Sequence, residues 1–208
     1  MAKILIVDDH PAIRLALSII LKQEHHEICG EADNGADAVK ECKRLNPDLL
    51  LLDIGIPKLD GIEVILRLKE IMPELRVIVL SAQTSMHLMV RCYQAGADGY
   101  VSKLEDLFLI KDAIKCCFSG KLFFSRDVIT NARHSKTDIN KDDIFSTLSN
   151  REICVLRAIC SGLSNKEIAT NMLLSEKTIS TYKTRLMKKL HVENMVELLN
   201  ISKQVINS

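Results

Sequence analysis

Four apolar runs each end on residues that can do chemistry together. Ile4-Leu5-Ile6-Val7 runs into Asp8 and Asp9, Leu49-Leu50-Leu51-Leu52 into Asp53, Val77-Ile78-Val79-Leu80 into Ser81, and Gly99-Tyr100-Val101 into Ser102 and Lys103. Three carboxylates, a hydroxyl and an amine brought to one place suit the handling of a phosphoryl group. Asp53 is the candidate nucleophile, because a carboxylate can attack phosphorus to form an acyl phosphate. Asp8 and Asp9 are candidate metal ligands, joined by Asp53 and by the backbone carbonyl of Gly55. With oxygen donors throughout, the expected ion is Mg²⁺, which screens an anionic nucleophile from an anionic donor. Lys103 would neutralise one phosphoryl oxygen and the Ser81 hydroxyl would bond another. His10, lying between the acidic pair and Pro11, is expected to be a turn residue without a catalytic role.

These residues can converge only if the runs are neighbouring strands. Short continuous apolar runs separated by helical patterns predict strands buried on both faces of a parallel sheet, whose sites lie at the carboxyl edge. Helices are predicted over 13–22, 35–44, 61–69, 86–95 and 107–119, separated by turn signals such as Asn34-Gly35, Asn46-Pro47-Asp48 and Met72-Pro73. Five strand–helix repeats make a doubly wound α/β domain with a five-stranded parallel sheet, over residues 1–122. The periodicity then fails and the composition turns polar, so 123–145 is expected to be a linker.

From residue 146 to 208 no strand pattern appears, and four helices are predicted in an all-α domain. Ser149-Asn150-Arg151-Glu152 is a capping box that opens the first. The second covers 165–171, the third 176–190 after Ser175, and the last 195–205, with Val196, Leu199, Ile201 and Val205 partly in its core. Two short helices joined tightly, the later one amphipathic and basic, form a helix-turn-helix. In the third helix Ile179, Leu186 and Leu190 share a buried stripe. Lys177, Ser180, Thr181 and Thr184 fall on the opposite side, where they can enter a DNA major groove.

Charge divides the chain in the same place. The formal net charge is +1, yet residues 1–120 hold 14 Lys/Arg against 18 Asp/Glu, while 144–208 hold 9 against 5. A basic segment joined to an acidic one fits a nucleic-acid-binding module attached to something else. The apolar stretch at the N-terminus is too short for a signal segment, and no stretch is long enough to span a bilayer, so a cytoplasmic protein without membrane partners is expected. The seven cysteines show no Cys-x-x-Cys pairing and are expected to be reduced packing residues.

Asp8-Asp9, Asp53 followed by Pro57 and Gly61, Ser81-Ala82, and Tyr100 with Lys103 resemble the receiver domain of bacterial two-component response regulators, a flavodoxin-like fold. The segment from Leu148 through Gly162-Leu163-Ser164-Asn165-Lys166-Glu167-Ile168-Ala169 to Lys188-Lys189-Leu190 resembles the LuxR-type helix-turn-helix, and the pair resembles the NarL/FixJ class. The resemblance implies a transcription factor rather than an enzyme. A sensor histidine kinase or phosphotransfer domain would phosphorylate Asp53, and Ser81 and Tyr100 would act as the switch. Double-stranded promoter DNA would be bound by a homodimer, with RNA polymerase as a further partner. Ser180, Thr181 and Thr184 match the base-reading positions, and Lys177, Thr178, Lys183, Lys188 and Lys189 suit phosphate contacts. Ser81 departs from the commoner threonine but keeps the hydroxyl. A Mg²⁺-dependent phosphatase of the haloacid dehalogenase kind also uses a strand-end aspartate, but it would need an aspartate where Gly55 stands.

Overall fold

The computed structural model describes residues 1–134, 148–172, 174–190, 192 and 194–199, and the chain divides into two units, Met1–Ile139 and Asn140–Ser208. In the first unit the apolar runs are strands, as their continuous hydrophobicity predicts. Its elements are β1 (Lys3–Val7), α1 (Pro11–Gln23), β2 (Glu27–Ala32), α2 (Gly35–Leu45), β3 (Leu49–Asp53), α3 (Gly61–Ile71), β4 (Arg76–Ser81), α4 (Met86–Gln94), β5 (Gly99–Ser102), α5 (Leu109–Phe118) and α6 (Arg126–His134).

All strand pairs are parallel and the sheet order is β2-β1-β3-β4-β5. Alternate residues of each strand enter opposite cores. Leu5, Val7, Leu50, Leu52, Val77 and Val79 pack with α2, α3 and α4, whereas Ile4, Ile6, Leu49, Leu51, Ile78 and Leu80 pack with α1 and α5. Every one of these twelve side chains is fully buried, and so the strands read as continuous apolar runs. The chain winds outward in both directions from the adjacent β1 and β3, which opens a crevice beyond their carboxyl ends. Asp8, Asp9 and Asp53 sit at that crevice.

The loop after β3 is pinned by a close approach. Gly35 opens α2 and donates its N–H to the Pro57 carbonyl at 3.1 Å. A Cβ at residue 35 would lie 2.3 Å from the Leu59 carbonyl oxygen and 2.9 Å from a Val64 methyl. Backbone cannot yield as a flexible side chain does, so Gly35→Ala is expected to destabilise the first unit by about 1–3 kcal/mol. The urea midpoint of the full chain, followed by circular dichroism, measures this; an unchanged midpoint would contradict it.

One expectation is corrected. The segment assigned to the linker contains α6, which packs against α4 with Val128 and Ala132 buried. Their i,i+4 spacing marks a short helical stripe in a largely polar segment, too brief to register as periodicity. The remainder of the expected linker, 135–145, lies outside the described residues.

The second unit contains α7 (Asn150–Cys160), α8 (Asn165–Asn171) and α9 (Glu176–Lys189), around a core that includes Val155, Leu156, Ile168, Ile179, Leu186 and Leu198. Ser149 and Ser164 each form a full capping box, with Glu152 and Glu167 respectively, and Ser175 caps α9 through the Thr178 N–H. Residues 195–199 are helical with Leu198 buried and Val196 exposed. The rest of the predicted last helix, including Ile201 and Val205, lies outside the described residues.

Candidate functional site

The predicted pocket residues do meet at the sheet's carboxyl edge. Asp8 is fully buried and Asp53 is 5% exposed. The Lys103 ammonium, on the loop after β5, lies 2.6 Å from Asp8 Oδ2 and 2.9 Å from Asp53 Oδ2, so a single cation bridges both carboxylates. The Gly55 N–H donates to Asp53 Oδ1 at 3.0 Å, which fixes the carboxylate against the loop that follows β3. Ser81 ends β4 one residue beyond Leu80, the register partner of Asp53, and its buried Oγ accepts the Gln83 N–H at 3.0 Å. Tyr100 is buried, packs in the core shared with α4, and donates its hydroxyl to the Gln83 carbonyl.

Burial raises the Asp53 carboxyl above the ordinary aspartate value, the Lys103 ammonium pulls it back, and neighbouring Asp8 pushes it up again. Burial also works against the charged form of Lys103, but Asp53 and Asp8 outweigh it and hold the ammonium above its usual value. One ammonium therefore faces an excess of carboxylate charge. Ligand atoms from Asp8, Asp9, His10 and Asp53 lie within 4.8 Å of one another. Hard carboxylate oxygens in a negatively charged crevice match a divalent cation that prefers oxygen.

Two neighbours touch the acidic pair. His10, expected to be a turn residue, donates its N–H to Asp8 Oδ1 two residues back, and its Nδ1 also approaches Asp9 to 2.7 Å and Asp8 to 3.3 Å. Arg14, one turn into α1, donates from Nη1 to the Asp8 carbonyl at 2.7 Å and from Nε to Glu31 at 3.0 Å, tying β1, α1 and β2 together behind the acidic pair.

On α9 the residues assigned to DNA contacts take these positions. Ser175 caps the helix, and the buried stripe of Ile179 and Leu186 turns the opposite side outward. Lys177, Ser180, Thr181, Thr184 and Lys188 are exposed on it, with Thr178 and Lys183 half-buried. Arg185, four residues past Thr181, shares the exposed stripe and was missed by the sequence reading. The hydroxyls of Ser180, Thr181 and Thr184 donate back to the carbonyls of Glu176, Lys177 and Ser180. Their hydrogens are thus engaged within the helix, leaving the Thr181 and Thr184 oxygens as outward acceptors, while the Ser180 oxygen already accepts from Asn165 Nδ2 at 3.5 Å.

Lys189, expected among the phosphate contacts, is paired within its own domain. Its Nζ donates to Glu152 Oε2 at 2.7 Å, and the same oxygen accepts the Ser149 N–H at 2.7 Å. Glu152, only 2% exposed, thus joins the α7 capping box to the end of α9. Burial raises its carboxyl, but Lys189 and Ser149 outweigh that and hold it below the ordinary value of 4.5. A depressed carboxyl contributes stability that is whole above that value and is lost as pH falls through the native one. Glu152→Gln is expected to lower stability at pH 7 by about 1–2 kcal/mol, with the deficit shrinking toward pH 3. Urea titrations at both pH values check this, and a deficit independent of pH would refute the ionic contribution.

Comparison with known proteins agrees with this geometry. Residues 4–115 match the response regulator receiver domain, and residues 146–202 match the luxR family of bacterial regulatory proteins. The chain is 43% identical over 202 residues to the Bordetella pertussis transcription regulator BvgA, covering 97% of each protein. It is 34% identical over 200 residues to EvgA of Escherichia coli K12, a DNA-binding transcriptional activator, covering 96% of this chain and 97% of EvgA. Among solved structures, the Salmonella typhimurium RcsB response regulator matches with 29% identity, TM-score 0.57 and 97% of each chain covered. An RcsB–DNA complex matches with 29% identity, TM-score 0.58 and 98% of each chain covered. The chain belongs to the NarL/FixJ class of two-component response regulators, with a receiver domain followed by a LuxR-type DNA-binding domain.

Proposed function

We propose that this protein is a transcription factor switched by phosphorylation of Asp53. The observation that carries the reading is the Lys103 ammonium shared between Asp8 and Asp53, in a chain whose other unit exposes the hydroxyl- and lysine-rich face of α9. An Asp53 oxygen attacks the phosphorus of a phosphohistidine on a sensor kinase or phosphotransfer domain. The phosphorus–nitrogen bond breaks, and its electron pair leaves on the imidazole, which takes up a proton. Lys103 neutralises an oxygen of the transferring group and the Ser81 hydroxyl hydrogen-bonds another. Asp8, Asp9, Asp53 and the Gly55 carbonyl would hold a Mg²⁺ ion, which would supply the remaining charge neutralisation. Ser81 and Tyr100 then bias a two-state equilibrium of the receiver.

DNA is bound in the cytoplasm by a homodimer, as two-fold half-sites favour; RcsB dimers on DNA are the solved precedent. Lys177, Thr178, Lys183 and Lys188 contact phosphates, while Ser180, Thr181 and Thr184 face the bases. With their hydrogens engaged in the helix, the threonine hydroxyls accept from the amino groups of adenine or cytosine and place the threonine methyls against thymine. Acetyl phosphate with Mg²⁺ is expected to add one phosphoryl group, seen by intact mass, and to tighten promoter footprints in parallel. Lys183→Ala is expected to weaken binding across sequences and reduce the salt slope by about 1. Thr181→Val should instead alter sequence preference. An unchanged slope in Lys183→Ala would remove that lysine from the phosphate contacts.

A further inference from the structure

The segment that leaves the receiver returns to its switch face. After α5, Phe123 pairs with the edge strand β5: the Phe123 N–H donates to the Asp98 carbonyl at 2.8 Å, and the Tyr100 N–H donates to the Phe123 carbonyl at 3.0 Å. A Cβ at Gly99 would lie 3.0 Å from Phe123 Cβ, so the two backbones are as close as side chains permit. Phe124 meets Tyr93 of α4 edge-on, with ring centroids 5.6 Å apart. Next comes α6, lying on α4. The same Tyr100 whose N–H holds Phe123 gives its hydroxyl to Gln83, and the Gln83 N–H is held by Ser81. A continuous set of contacts therefore runs from the phosphoacceptor edge through Ser81, Gln83 and Tyr100 to Phe123 and α6.

From this arrangement we infer that α6 is the element that reads the switch: it is docked on α4 when Asp53 is unmodified and is released when Asp53 is phosphorylated. The inference rests on the proposed phosphorylation of Asp53. A Ser81 hydroxyl drawn toward a phosphoryl group pulls on the Gln83 N–H that it now holds. Strain on that bond loosens the 82–85 loop, from which Ser85 caps α4. The α4–α6 contact is poised to respond, since α6 has nine residues and, among its described side chains, the fully buried ones are Val128 and Ala132. A helix of that length does not persist in water without its docking face, so undocking α6 also melts it. A groove of about 530 Å³ beside the contact, lined by Thr84, Met86, Met89, Tyr100, Phe123 and Phe124, leaves room for the loop and α4 to move. While α6 is docked, the α4 face is covered by the protein's own chain; release exposes it and lengthens the tether to the DNA-binding unit.

Hydrogen exchange of the full-length protein, with and without acetyl phosphate and Mg²⁺, tests the inference. Amides of 126–134 are expected to exchange at least about tenfold faster after modification, while those of α5 stay protected. Ala132→Arg should show the fast α6 exchange without any phosphoryl donor, and its DNA affinity should change less than about threefold on modification. Phe124→Leu, a milder change, should move both readouts the same way. If intact mass shows the adduct and DNA binding tightens while α6 exchange is unchanged, the inference fails and the Asp53 reading stands. If no adduct forms with any donor, both fail.

Discussion

Replacing Asp53 with asparagine is expected to abolish phosphoryl uptake and its effect on DNA binding, while making the receiver more resistant to heat. The first effect follows from the nucleophile's identity. An amide oxygen does not form a stable acyl phosphate, so incorporation from acetyl phosphate should fall by on the order of 10³ or more. The second follows from electrostatics. Burial and Asp8 raise the Asp53 carboxyl despite Lys103. A carboxyl raised in the native state gives stability that declines as pH climbs from the unfolded value of 3.8 through the native value. Above both values the whole cost is present. Asparagine removes that cost while its Oδ1 still accepts the Gly55 N–H, and Lys103 keeps Asp8 as a partner. In EDTA the variant should melt above wild type at pH 7, and the gap should narrow toward pH 3. The pairing of lost uptake with gained stability separates removal of the acceptor from misfolding. Wild-type tightening on DNA in Asp53→Asn would overturn the switch.

The pocket was legible in the sequence because a doubly wound sheet does two things at once. It buries strands on both faces, which makes them continuous apolar runs, and it gathers their carboxyl ends, which places the residue after each run at the site. Asp8, Asp53, Ser81 and Lys103 were therefore locatable before any coordinates. The strand β2 was not placed by residue, since Glu27–Ala32 lies at the sheet edge, largely half-buried, and carries no such run. Neither was α6, whose buried Val128 and Ala132 lie in a largely polar segment.

Tertiary partners were harder to see. Lys189 sits on α9 where spacing alone assigns an exposed basic residue, but its partner Glu152 is 37 positions away and already occupied in a cap. Periodicity reports which side of a helix faces a core; it does not report which charge on the outer side finds a buried acid. Arg14 was missed for a related reason, because it bonds the backbone of Asp8 and a glutamate 17 positions away, neither of which spacing reports.

Lys103→Met is expected to be the most damaging single change in the pocket, and the damage should be reversible by metal. The ammonium is 10% exposed and bridges two carboxylates that are 0% and 7% exposed. Its raised value means that its contribution is whole at neutral pH and is lost only as pH rises through the native value, above the ordinary 10.5. Methionine has nearly the same length and no charge, so packing is preserved while Asp8 and Asp53 face each other without their cation. Removing one partner from a buried ionic set costs about 3–5 kcal/mol, which should lower the thermal midpoint of the receiver by many degrees in EDTA. Lowering the pH should recover part of the loss, because the Asp53 carboxyl, raised by burial and by Asp8, can then take up a proton. Millimolar Mg²⁺ should recover more and should raise the midpoint of Lys103→Met further than that of wild type, since binding to the native state stabilises by mass action. Adding Asp53→Asn to Lys103→Met should restore stability as well, for the second change removes the repulsion that the first exposed. Equal midpoints for wild type and Lys103→Met in EDTA would mean that the bridge contributes no net stability, and the charge balance assigned to the pocket would be wrong.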